Sequence, residues 1–92
     1  MKKAAKIIVN GTVQGIFFRS FCKEHADKLK LTGFVRNLED GNLEVVVEGD
    51  GDSIKMMIEF LKQGPGHAHI RSVNATEIKW SGDFKEFKIL RI

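Results

Sequence analysis

Ninety-two residues, 42% apolar and 29% charged, make a single domain over residues 1–92, with core enough to fold and no composition of a disordered chain. A net charge of +3, much of it in Lys2, Lys3 and Lys6, marks no nucleic-acid stripe, and no apolar stretch reaches membrane-spanning length. Cys22 is the only cysteine and no signal-type apolar segment follows the first lysines, so a reducing, cytoplasmic setting is expected.

Ile7, Ile8, Val9 and Val13 predict a first strand over Lys6 to Val13, with Gly11 as a bulge or a point of close approach. Phe18, Phe21, Cys22, Ala26 and Leu29 then recur at spacings of three and four, the face of an amphipathic helix. Two strands follow, Gly33 to Leu38 and Asn42 to Glu48, joined by an Asp40-Gly41 hairpin turn. In the second, Leu43, Val45 and Val47 alternate with Asn42, Glu44, Val46 and Glu48, which predicts one wetter face. Asp52 or Ser53 is placed to cap a second helix carrying Ile54, Met57, Ile58 and Leu61, stopped by Gly64-Pro65-Gly66. A strand over Ile70 to Trp80, a Ser81-Gly82-Asp83 turn and a short final strand through Phe84, Phe87, Ile89 and Leu90 complete the chain. This order predicts an α+β ferredoxin-like sandwich, βαββαβ, with two helices on one face of an antiparallel sheet and a short extra strand. That architecture hosts enzymes, sensors and RNA binders alike, so function must come from a site.

The stretch from Val9 to Arg19 passes from a strand through two glycines into a helix start. Such a loop aims backbone N–H groups at one point, beside the positive end of the helix dipole. Arg19 adds a guanidinium fork that matches phosphate or carboxylate oxygens. Helix starts favour acids rather than cations, so an arginine there points to an external anion. Asn37, taken alone, reads as a strand-end residue preparing the hairpin. Gln14 suits a structural hydrogen bond as well as a ligand contact. Arg36 should point to the face opposite Asn37, into solvent. Cys22 falls on the apolar helix face as a core residue. His25, His67 and His69 lack a Cys, Asp or Glu at ligand spacing, so no metal site is expected. Phe17, Phe84 and Phe87 belong to core or rim.

Two stretches read together go further. Gly11-x-Val13-Gln14-Gly15-Ile16-x-Phe18-Arg19 and Gly33-Phe34-Val35-Arg36-Asn37-x-x-x-Gly41-x-Leu43, with Gly49 beyond, resemble the two signatures of the acylphosphatase family. Gly64-Pro65-x-x-Ala68-x-Ile70 resembles the segment after that family's second helix. Ile16 and Leu43 stand where the family usually has valine, changes of packing rather than chemistry. The resemblance implies a hydrolase of the carboxyl–phosphate bond in small acyl phosphates. The phosphate would be held by N–H groups of Gln14, Gly15, Ile16, Phe17, Phe18 and Arg19 and by the Arg19 guanidinium, and Asn37 would orient the attacking water. It also implies no metal, no other cofactor and no phosphoenzyme; the ligands are a small acyl phosphate and inorganic phosphate, with no nucleic-acid or membrane partner. A monomer is expected. The alternative is a non-catalytic module on the same scaffold, binding phosphate or another anion, or RNA. An RNA binder would carry exposed aromatics on its central strands, where this chain offers Phe34 alone. Against a plain anion binder, Asn37 is the discriminating residue.

Overall fold

In the computed structural model, which describes residues 1–13, 16–66 and 68–90 (of Ile16, the backbone), the strands pair in the order β4-β1-β3-β2-β5. The elements are β1 (Lys2–Gly11), α1 (Ile16–Lys28), β2 (Thr32–Asn37), β3 (Leu43–Asp50), α2 (Gly51–Gln63), β4 (Ile70–Ile78) and β5 (Phe87–Ile89). The first four strands are antiparallel neighbours, with Ile7 opposite Val45 on one side and Ala75 on the other, and Val35 opposite Val45 in turn. Alternation puts Ile7, Val9, Val35, Leu43, Val45 and Val47 on one face, all fully buried. Both helices cover that face, α1 above β2 and β5, α2 above β1, β3 and β4. Phe18, Cys22 and Ala26 of α1 and Ile54, Met57 and Leu61 of α2 close the core from the other side. The ferredoxin-like sandwich expected from the sequence is the fold.

Several boundaries and one orientation differ. β1 starts at Lys2 rather than Lys6, because Ala4 and Ala5 are small enough to be buried while the lysines flanking them, Lys2, Lys3 and Lys6, reach water. The cap of α2 is Asp50, whose carboxylate accepts from the Asp52 N–H at 3.2 Å, not Asp52 or Ser53. β4 ends at Ile78 and β5 holds only Phe87 to Ile89. The sheet is mixed, not antiparallel throughout, because β5 runs parallel to β2. β4 and β5 lie on opposite edges, so the segment 79–86 crosses the face that the helices leave open.

That crossing explains why the expected wet face is not wet. Glu48 is only 3% exposed, and its carboxylate accepts from the Ser81 N–H (2.9 Å), the Ser81 hydroxyl (2.8 Å) and the Gly82 N–H (2.9 Å). Burial alone would raise its pKa, but these three donors outweigh it and hold the carboxyl below its ordinary value. Phe84, expected in the last strand, instead packs against Phe34 in the crossing segment, ring centroids 5.9 Å apart. Glu44 is also buried, and its carboxylate meets Arg36 Nε at 2.6 Å and Lys6 Nζ at 3.6 Å. Arg36 is therefore engaged in an ion pair, not simply solvated.

Candidate active site

The site is built where β1 ends. Gly11 carries φ of +142°, and an added Cβ would collide with the His69 carbonyl oxygen, so only glycine fits. The pairing of β1 with β4 shifts register there, and the Thr12 N–H donates to that same carbonyl at 2.8 Å. Val13 is fully buried and anchors the chain before it turns into α1. β1 thus leaves the sheet at its end, ahead of the helix.

The first turn of α1 runs Ile16, Phe17, Phe18, Arg19 and contains no acidic residue. The first N–H groups of a helix find no acceptor inside it. Phe18 is buried and pins this turn to the core, while Phe17, 85% exposed, stands on the rim. Arg19 is half-buried in the same turn. Four of the expected cradle residues are therefore brought together at one helix start. The roles expected of Gln14 and Gly15 fall outside the described residues.

Asn37 closes β2 opposite Leu43, which in turn lies opposite Val9 of β1. Directly opposed residues share a face, so Asn37 belongs to the helix-covered side, at the sheet end where β1 runs out. It sits two strands from β1, about 10 Å away by strand spacing. Its side-chain nitrogen is buried and makes no hydrogen bond among the described residues. An unspent buried amide donor costs about 1–3 kcal/mol, which a native fold carries where a ligand or water completes it.

The hairpin after Asn37 is held tightly. The Leu38 N–H donates to the Asn42 carbonyl (2.8 Å), and the Asp40 carboxylate accepts from the Asn42 N–H (2.9 Å) and its side-chain amide (3.2 Å). Asn10 Nδ2 then donates to Asn42 Oδ1 at 2.6 Å. This last bond ties the strand leading into the cradle to the hairpin carrying Asn37. Sequence reasoning missed it, since neither asparagine stands in a pattern that predicts its partner.

Other candidates are accounted for. Cys22 is fully buried, and burial pushes its thiol up to about 12, so it is no nucleophile at neutral pH. His25 lies between Phe21 and Phe60, with ring centroids at 4.4 and 3.9 Å, in the packing between the helices. The His69 carbonyl serves the Gly11–Thr12 corner, and His67 lies outside the described residues. Phe87 is core.

A helix start without acidic residues, near a sheet end whose Asn37 Nδ2 is unpartnered among the described residues, has counterparts among known proteins. The acylphosphatase family model matches residues 5–89. An acylphosphatase of Methylococcus capsulatus is 38% identical, with 97% of each chain covered. The structure of an acylphosphatase from Coxiella burnetii superposes with a TM-score of 0.91 at 38% identity, covering 97% of this chain and 93% of that one. Full-length HypF contains a similar unit, with a TM-score of 0.86 at 30% identity over 99% of this chain but 12% of its own. A family match over nearly all residues, with relatives alignable almost end to end, means that this chain belongs to the acylphosphatase family.

Proposed function

We propose that the protein hydrolyses the carboxyl–phosphate bond of small acyl phosphates, holding the phosphate at the start of α1 and the water at Asn37. The observation that carries this reading is the buried Nδ2 of Asn37, unpartnered among the described residues, at the sheet end where β1 leads toward α1 and Arg19. Phosphate oxygens accept from the N–H groups of residues 14–19 and from the Arg19 guanidinium. The phosphoryl transition state spreads charge over its equatorial oxygens, which such a ring of donors matches. The Asn37 amide accepts from the water and donates to it, fixing its lone pair toward phosphorus. The water oxygen bonds to phosphorus, the bond to the acyl oxygen breaks, and the carboxylate leaves with its electron pair. A neutral amide is a poor base, so the proton passes to an oxygen of the substrate itself. Acyl phosphates have good leaving groups, so positioning and charge stabilisation suffice without a metal or phosphoenzyme. A single buried cysteine suits the reducing cytoplasm.

Benzoyl phosphate hydrolysis in excess EDTA tests the proposal. Turnover abolished by both Arg19→Ala and Asn37→Ala, with inorganic phosphate competing in the wild type, is the expected result. No turnover, with phosphate still bound through Arg19, would make the chain an anion-binding module instead.

A further inference from the structure

Five large apolar side chains stand out into solvent among the described residues: Met1, Phe17, Met56, Ile78 and Trp80. Four have plain settings. Met1 precedes β1, Met56 lies on α2, Ile78 closes the edge strand β4, and Trp80 takes the Lys2 ammonium over its ring at 5.9 Å. Phe17 differs in its place. It is 85% exposed, it is aromatic, and it stands in the first turn of α1, two residues before Arg19. Its neighbour Phe18 already pins that turn to the core, which leaves the Phe17 ring outside it. One exposed ring asks for nothing by itself, but a ring beside an anion cradle has a possible partner in whatever the anion carries.

Geometry decides what would meet it. The Cα–Cβ bonds of a helix tilt toward its N-terminus, so a first-turn side chain leans to the end where the unused N–H groups open. In phosphoryl transfer the attacking and leaving oxygens lie roughly in line through phosphorus. With the water at Asn37, whose Nδ2 is buried on the helix-covered side, the leaving carboxylate lies on the opposite, solvent side of the phosphorus. The acyl group therefore emerges along the outer rim of the cradle, where Phe17 supplies the apolar surface.

We infer that Phe17 sets the acyl specificity of the site, favouring acyl phosphates with an aromatic acyl group over those with one as small as acetyl. This rests on the hydrolase reading above and names the substrate class within it. The ring can meet an aromatic acyl group edge to face or offset, a contact that an acetyl methyl cannot fill. A single ring on an open rim gives preference and not exclusion, so both classes react. The contact is made before and during bond breaking alike, so it acts on binding more than on turnover.

Benzoyl and acetyl phosphate, compared in the wild type, Phe17→Ala and Phe17→Trp, test the inference. The ratio of kcat/KM for the two substrates, taken as variant over wild type, cancels their intrinsic reactivities. It should fall about five- to tenfold in Phe17→Ala, with the loss carried by KM for benzoyl phosphate, and be kept in Phe17→Trp, which retains a ring. The melting temperature of Phe17→Ala should not fall, which separates a lost contact from a lost fold. Benzylphosphonate and methylphosphonate, which cannot release a carboxylate, give a second readout by calorimetry. The wild type should bind the first more tightly, and Phe17→Ala should lose that margin. A ratio that survives Phe17→Ala, in an enzyme that hydrolyses both substrates, would overturn the role of Phe17 and leave the hydrolase reading standing. No turnover of either substrate, with a benzyl preference that Phe17→Ala removes, would overturn the hydrolase reading and keep the ring contact. No turnover and no benzyl preference would overturn both.

Discussion

Glu48 on β3 and Asn37 beside it on β2 both place polar atoms out of reach of solvent, yet the fold treats them oppositely. Glu48 lies at one end of β3 on the open face, and its carboxylate is filled by three donors from Ser81 and Gly82. Asn37 lies opposite Leu43 at the other end, about 17 Å away along the strand, on the helix-covered face. Its amide nitrogen keeps its hydrogen-bonding capacity unused among the described residues. The difference separates a polar group that holds the structure from one kept for something else. A satisfied carboxylate stabilises; an unsatisfied amide costs stability that binding can return.

The sharpest way to break this contrast is at the site itself. Arg19→Ala and Asn37→Ala should each lower the turnover of benzoyl phosphate by about a hundredfold or more, the scale of losing one transition-state donor. Asn37→Ala should also leave the melting temperature unchanged or slightly raised, since it removes an unpaired buried donor. A large loss of stability in that variant would mean the amide is structural after all.

At the other end the expectation reverses. Glu48→Gln should cost about 2 kcal/mol, or about 10 °C in melting temperature, with turnover within about twofold of wild type. The same residue sets a pH signature. Its folded carboxyl lies below the ordinary value of 4.5, so ionised Glu48 stabilises the fold above that pH. The contribution is lost as pH falls through the lower folded value. Denaturant titrations should show the gap between wild type and Glu48→Gln narrowing below about pH 4.5 and constant above it.

A smaller effect should appear at the bond between the two halves of the site. Asn10→Ala removes the 2.6 Å link to Asn42 without touching either proposed catalytic residue. Turnover should fall about three- to tenfold while inhibition by phosphate stays the same, because the cradle persists and only the water's placement loosens. The smallest effect belongs to Cys22. Its thiol, pushed up to about 12, should resist alkylation of the native protein at pH 7.5, and Cys22→Ala should keep activity within about twofold.

How much of this was legible beforehand depends on whether the cause was local. The helices and the hairpin were, because the period of Phe18, Cys22 and Ala26 and the Asp40-Gly41 turn act within a few residues. The place of Arg19 in a first helical turn and of Asn37 at a strand end was legible from local pattern, and the role proposed for Asn37 came only from the motif around it. The burial of Glu48 was not, since what covers it arrives more than thirty residues later, at Ser81 and Gly82. The ion pair of Arg36 with Glu44 and the bond from Asn10 to Asn42 depend on strand register, which side-chain alternation alone does not number. The parallel course of β5 follows from the crossing segment and from no pattern in Phe87 to Ile89.

The central position of β1 has a consequence for how the molecule comes into being. β1 ends up between β3 and β4, and β4 follows it by about sixty residues or more, after both helices and two other strands. While the chain emerges from the ribosome, β1 can pair with β3 early but must leave its other side bare until residues 70–78 are free. Completion of the sheet thus waits on the β4 segment, and the pairing of residues about sixty or more apart sets the pace of folding.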